Sequence, residues 1–196
     1  MNAIPYTVER RPDTGVNNVQ LGVWLFLASE VMLFGGLFSA YFMLRAGAPE
    51  PWLPHVAHRA IALVNTVLLL GAGASLAMAV RCAQRHEIRP YRGWMAAGIV
   101  LGLLFCGVKA MDYFDFYAMH WLPSTSTRYA MYFLLTGVHV LHVIGGVAVN
   151  LRLLATSAAT WGREAPAVAN RVQAAALYWY FVDVVWIAIL VSLYVV

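Results

Sequence analysis

The sequence predicts an all-α polytopic membrane protein, a bundle of five transmembrane helices with its N-terminus in the cytoplasm and its C-terminus outside. Three observations predict it. Of 196 residues, 62% are hydrophobic and 11% charged, where soluble domains carry about 25% charged residues. Five apolar runs are each long enough to cross a hydrocarbon core, which takes about 20 residues. Lysine and arginine fall unevenly on the segments between those runs. No run alternates in polarity, which excludes a membrane β-barrel.

The runs lie at roughly 20–45, 60–80, 93–110, 129–154 and 174–196. Breaker residues separate them: Pro49, Pro51 and Pro54 after the first, Pro90 after the second, Pro123 after the third and Pro166 after the fourth. Residues 1–19 are polar and contain Arg10, Arg11 and Asp13. They lack the apolar core and cleavage site of a signal peptide. They are expected to remain as a cytoplasmic tail ahead of one membrane domain, residues 20–196.

Orientation follows from the cations. Arg10, Arg11, Arg81, Arg85, Arg89, Arg92, Arg152, Arg163 and Arg171 fall on one side. Arg45, Arg59 and Arg128 fall on the other, with Lys109 near that face. Nine against four puts the first side in the cytoplasm. Five spans place the two termini on opposite sides, in agreement with the charge count. These arginines act as topology signals, not as a nucleic-acid surface, so no nucleic-acid partner is expected.

The last run is the most distinctive. Tyr178, Trp179 and Tyr180 crowd one end, where amphipathic rings settle at a membrane interface. Asp183 lies a turn or so deeper. Inserting a carboxylate at the centre of a span costs about 2.5–3.5 kcal/mol, so it must face protein or water. Glu30, Asn65, His139 and His142 pose the same problem in other spans. At about 1.5 Å per residue, Glu30 lies about 15 Å from the inner ends, Asp183 about 13 Å and His142 about 18 Å. These three share a layer and can meet if their helices are neighbours. A hydrogen bond between Glu30 and His142 is the expected pairing. Buried carboxylates mark proton paths or polar anchors.

His139 and His142 are three residues apart on one helix face. Packing within the bundle accounts for them simply. Haem needs an axial ligand from each side, and no other span contains a histidine. Carboxylates and histidines in the spans are too few for a dinuclear metal centre. Lys109 and Asp112, also three apart, are expected to pair at the membrane interface. His55, His58, His86 and His120 lie in connections at irregular spacing and predict no metal site. Cys82 and Cys106 form no C-x-x-C pair and are expected to be free thiols. No phosphate loop, nucleophile–base pair or flavin fingerprint is present. No catalytic, cofactor-binding or metal-ligating residue is therefore assigned to this chain.

Four ordered motifs carry a family resemblance. They are Leu21-Gly22-Val23-Trp24-Leu25-Phe26-Leu27-Ala28-Ser29-Glu30, Leu63-Val64-Asn65-Thr66-Val67-Leu68-Leu69-Leu70, Thr136-Gly137-Val138-His139-Val140-Leu141-His142-Val143 and Tyr178-Trp179-Tyr180-Phe181-Val182-Asp183-Val184-Val185-Trp186. Together the runs resemble subunit III of the haem–copper oxidases, in its short five-span bacterial form. Tyr180, Val140 and Asp112 stand where that family usually has His, Gly and Glu, and Lys109 is unusual. The resemblance implies an accessory subunit without haem or copper, both expected in partner subunits. It implies packing against catalytic subunit I, with subunit II in the same complex, in a bacterial cytoplasmic membrane. It further implies support of proton uptake and lasting turnover, with Glu30, Asp183, His139 and His142 as the proton-related group. Bound phospholipid is implied too, its head group expected near Arg152, with Trp24 on the first span. An accessory protein of a nitric oxide reductase is an alternative of the same type. A stand-alone transporter or channel using Glu30 and Asp183 is the alternative of another class, opposed by the absence of an inverted repeat.

Overall fold

Helix accounts for nearly all of the chain that the computed structural model describes, residues 8–49, 52 and 59–195, with backbone alone for 158–160 and 162–165. The elements are α1 (Asn18–Ala46), α2 (Arg59–Gln84), α3 (Ile88–Ala118) and α4 (Thr127–Leu190), which runs on into a π-helical turn, Val191–Val195. No strand occurs among the described residues. Pro51, Pro54, His55 and His58 lie outside the described residues.

Straight, the 64 residues of α4 would extend about 96 Å. Instead the chain folds back on itself. Tyr178 Oη donates to the carbonyl of His142, 36 residues earlier, at 2.9 Å. Thr127–Ser157 and Pro166–Val195 are thus two antiparallel spans, and the structure contains five helices long and apolar enough to cross a membrane. Three of the expected breaks sit differently. Pro90 lies in the first turn of α3 and Pro166 inside the helical run. Near a helix start the missing N–H costs little. The third span also runs on past residue 110 to Ala118. Lys109 and Asp112 end the apolar run in the sequence but do not end the helix, because both point inward.

Each start and stop has a local cause. The Asn17 side chain accepts from the Gln20 N–H at 2.9 Å and caps α1. Ser126 does the same for α4 through the Tyr129 N–H. α2 and α3 each end in a reversed turn. His86 N–H bonds Ala83 O and Glu87 N–H bonds Cys82 O. His120 N–H bonds Tyr117 O and Trp121 N–H bonds Phe116 O. This cap needs a left-handed residue, usually glycine. Here histidines fill it, at φ 59° for His86 and 57° for His120.

α2, α3 and the last two spans form the packed body around Trp179, Trp186, Phe105, Leu69, Leu76 and Met95. Close approach is built from small residues. A Cβ at Gly102 would meet the Trp179 ring and Val147 at 2.9 Å, and one at Gly146 would meet Trp179 at 2.9 Å. α1 is different. It is apolar all round and buries only Leu27, Phe34 and Tyr41, one every seven residues. That narrow stripe rests on α4.

Both ends of the bundle are tied. At one end, Asn170 Nδ2 donates to Val8 O, and the Tyr91 and Trp161 rings lie 4.9 Å apart. There Arg11 grips Asp13 through two hydrogen bonds of 2.9 and 2.8 Å, which hold the pKa of the Asp13 carboxyl at about 2. At the other end, the last carbonyls of a helix have no partner within it. The Ser192 carbonyl finds two on α1, Tyr41 Oη at 2.8 Å and Arg45 Nη1 at 3.3 Å.

Candidate functional site

The polar residues of the spans separate into three places. The first joins α1 to the fourth span. Glu30 Oε2 lies 2.9 Å from His142 Nε2, with the side chains 14% and 17% exposed. The expected hydrogen bond is therefore present. The other ring nitrogen, Nδ1, lies 2.7 Å from Val138 O. Phe34 stands edge-on to the imidazole at 5.1 Å, with Phe181 6.1 Å beyond it. The Tyr178 hydroxyl closes the seam by donating to the His142 carbonyl.

Asp183 does not join them, although similar depth allowed it. It faces α2, where a Cβ on Gly73 would fall onto its carboxylate. Depth along a span says nothing of direction around it. Asp183 is 8% exposed, and Oδ1 has no hydrogen-bond partner among the described residues. Trp179 Nε1, one turn earlier, is likewise unpartnered. Asn65 is fully buried, with neither amide atom partnered among the described residues. The adjacent Thr66 accepts from Trp186 Nε1 at 2.9 Å.

The third place was not expected as a buried site. Lys109 and Asp112 do pair, at 2.6 Å, but both side chains are only 1% exposed. This is no interfacial pair. Lys109 Nζ also reaches Tyr132 Oη at 2.7 Å and Tyr194 Oη at 3.2 Å. Tyr132 in turn donates to Asp112 Oδ2 at 2.5 Å. His139 lies near this cluster, fully buried, stacked on Trp186 at 5.3 Å and edge-on to Phe105. Neither of its ring nitrogens has a partner among the described residues.

His139 and His142 thus face different surroundings on one helix, and cannot oppose one another across a haem. No group of three or more His, Cys, Asp or Glu side chains comes together among the described residues. Cys82 and Cys106 are free. Beside the Glu30 seam, a groove of about 500 Å³ runs between α1 and the last two spans. Val23, Phe26, Asn150, Arg171 and Tyr178 are among its lining residues. Neither Trp24 nor Arg152 lines it, and both are exposed on the surface. Asn150 is 1% exposed, with both amide atoms unpartnered among the described residues.

Residues 13–196 match the family model described as cytochrome c oxidase subunit III. The chain belongs to the cytochrome c oxidase subunit III family. Among curated relatives, the probable cytochrome c oxidase subunit 3 of Mycobacterium leprae is 32% identical over 179 residues, spanning 91% of this chain and 88% of its own. The cytochrome c oxidase subunit 3 of Corynebacterium diphtheriae is 32% identical over 186 residues, with the same coverage. The cytochrome bo(3) ubiquinol oxidase subunit 3 of Pseudomonas aeruginosa is 31% identical over 190 residues, spanning 93% of this chain and 86% of its own. As a subunit III family member with five membrane-crossing helices, the chain is a membrane protein that forms a complex with other oxidase subunits.

Proposed function

We propose that this chain is the non-redox accessory subunit of a respiratory haem–copper oxidase in a bacterial cytoplasmic membrane. It packs against catalytic subunit I, with subunit II in the same complex, and supports proton uptake and lasting turnover. Oxygen reduction takes place in the partner subunits, which hold the haem and copper. The observation that carries this reading is the Glu30–His142 hydrogen bond within the spans of a subunit III family member. A carboxylate and an imidazole kept at membrane depth cost insertion free energy, and such groups ordinarily handle protons. Asp183, set apart against Gly73, is a second carboxylate available to the same task, and His139 completes the proton-related group.

Lipid belongs to the same role. The groove beside α1 has the apolar wall that acyl chains need, and arginine suits a phosphate through paired charge-assisted hydrogen bonds. Arg152 and Trp24, both exposed and outside the lining of that groove, take the head group, while the tails lie against α1.

The test compares the oxidase with and without this chain. The haem spectrum and the initial rate of oxygen reduction should persist without it. Proton uptake should slow, and activity should decay sooner during turnover. Loss of the haem spectrum together with the initial rate would make the chain a ligand donor or an essential assembly element. An unchanged rate and lifetime would leave it with a packing role alone.

A further inference from the structure

His142 holds two hydrogen bonds whose partners differ in kind. Nδ1 faces the Val138 carbonyl at 2.7 Å, and Nε2 faces Glu30 Oε2 at 2.9 Å. A carbonyl oxygen accepts and never donates, so Nδ1 carries a hydrogen. Two arrangements then satisfy Nε2. Without a hydrogen it accepts, and Glu30 donates as a carboxylic acid. With a hydrogen it donates, and Glu30 accepts as a carboxylate. Both arrangements place one proton between the two side chains and leave the pair neutral.

Other proton counts are unfavourable here. With no proton, a carboxylate faces the lone pair of Nε2, and a negative charge stands unbalanced inside a span. With two, an imidazolium stands beside a neutral acid, again unbalanced. A charge taken from water without a partner is expensive. Among the described residues, no further charged side chain pairs with Glu30 or His142. From α1 the imidazole is flanked by Phe34, which is backed by Phe181 of the last span, and the Tyr178 hydroxyl of that span is committed to the His142 carbonyl. On its own helix, the neighbouring titratable group is His139, one turn away and without a hydrogen-bond partner among the described residues.

We propose that Glu30 and His142 form a single one-proton binding site, with the tautomer of His142 fixed by the Val138 carbonyl. Releasing that proton sets the carboxylate against the imidazole lone pair and ends the bond that ties α1 to the fourth span. α1 is the element able to yield, since its buried stripe is only Leu27, Phe34 and Tyr41. This deepens the proton-supporting reading above and rests on it for its purpose, while the proton count itself is read without turnover.

The experiment counts protons in the intact oxidase complex at neutral pH. Nitrogen-15 magnetic resonance of labelled histidine reads each nitrogen of His142, assigned by His142→Gln. Infrared spectra of complex carrying carbon-13-labelled glutamate read the Glu30 carboxyl, assigned by Glu30→Gln or, if that variant fails to assemble, by Glu30→Asp. A protonated Nδ1, with one further proton summed over Nε2 and the carboxyl, is the expected result. A bare Nδ1, or a sum of zero or two, overturns the proposal. Either outcome leaves the comparison with and without the chain untouched, so the two readings fail separately.

Discussion

Lys109 Nζ lies 2.6 Å from Asp112 Oδ2 with both side chains out of solvent, and each proton of the surrounding network has a place. Lys109 donates to Asp112, Tyr132 and Tyr194. Tyr132 donates to Asp112, which leaves Tyr194 to donate to Tyr132 at 3.0 Å. The cluster ties α3 to the fourth span and to the π-helical turn. Removing one member of a buried ion pair strands the other and costs about 3–5 kcal/mol, whereas replacing both with apolar residues is often neutral. Lys109→Met should therefore destabilise the assembled subunit strongly, and Lys109→Met with Asp112→Leu should recover most of the loss. Thermal inactivation of the purified complex reads both. Equal losses in the single and double variants would show that the ion pair is not the stabilising unit.

The glycines divide by what stands beside them. Cβ atoms at Gly102 and Gly146 would come within 2.9 Å of packed side chains, while those at Gly22 and Gly36 would meet nothing within 4 Å. Overpacking a filled interior costs about 1–3 kcal/mol. Gly102→Ala and Gly146→Ala should thus lower the subunit's melting temperature. Gly22→Ala and Gly36→Ala should leave the isolated subunit unchanged, and if they weaken its hold in the complex, a partner helix packs on that face of α1. Melting of isolated and assembled forms distinguishes these cases.

Glu30 anchors α1, so its replacements should rank by hydrogen bonding. Glu30→Gln keeps an N–H donor for Nε2, and α1 should stay docked. Glu30→Ala leaves a partly buried nitrogen without its partner, at a cost of up to about 1 kcal/mol. Hydrogen exchange along residues 27–41 should rise in the alanine variant and not in the glutamine variant. Matching exchange in the two would show that the apolar stripe alone holds α1.

His86 and His120 occupy left-handed backbone that costs a non-glycine residue roughly 1–2 kcal/mol. Part of any gain from glycine is lost to the freer unfolded chain. His86→Gly and His120→Gly should each stabilise the subunit slightly, by about 0.5–1 kcal/mol. Destabilisation measured by thermal melting would mean that the imidazoles make contacts worth more than the backbone strain.

How much of this was legible follows from what each signal measures. Apolar length located all five spans, because lipid leaves the chain little alternative to helix. Depth along the spans found the Glu30–His142 pair, since counting residues measures height. It left the direction of Asp183 open because height says nothing of azimuth, and the Gly73 face of α2 sets that direction. The Lys109–Asp112 spacing was visible, but the cluster depends on Tyr132 and Tyr194, which lie 23 and 85 residues from Lys109. Local sequence carries no trace of such partners. The charges also shortened the expected third span, since a buried ion pair and an interfacial one read alike. Arg152 and Arg171 are both arginines near one end of the bundle, and only folding brings Arg171 into the lining of the groove.

Orientation in the membrane is an expectation that rests on the distribution of cations. With Lys109 buried in the ionic cluster, the sequence contrast becomes nine arginines on one side against three on the other. The structure draws the nine-arginine segments toward one end, where Asn170 meets Val8 and Tyr91 meets Trp161. Arg45, bonded to the Ser192 carbonyl, marks the opposite end. Short connections rich in Lys and Arg remain in the cytoplasm. A reporter active only outside the cytoplasm should therefore work when fused after Val196 and fail when fused before the first span. Adding arginines to the connection between Ala118 and Thr127 should erode that preference, and adding them to the Arg85–Glu87 turn should not. A cytoplasmic signal after Val196 would reverse the assignment.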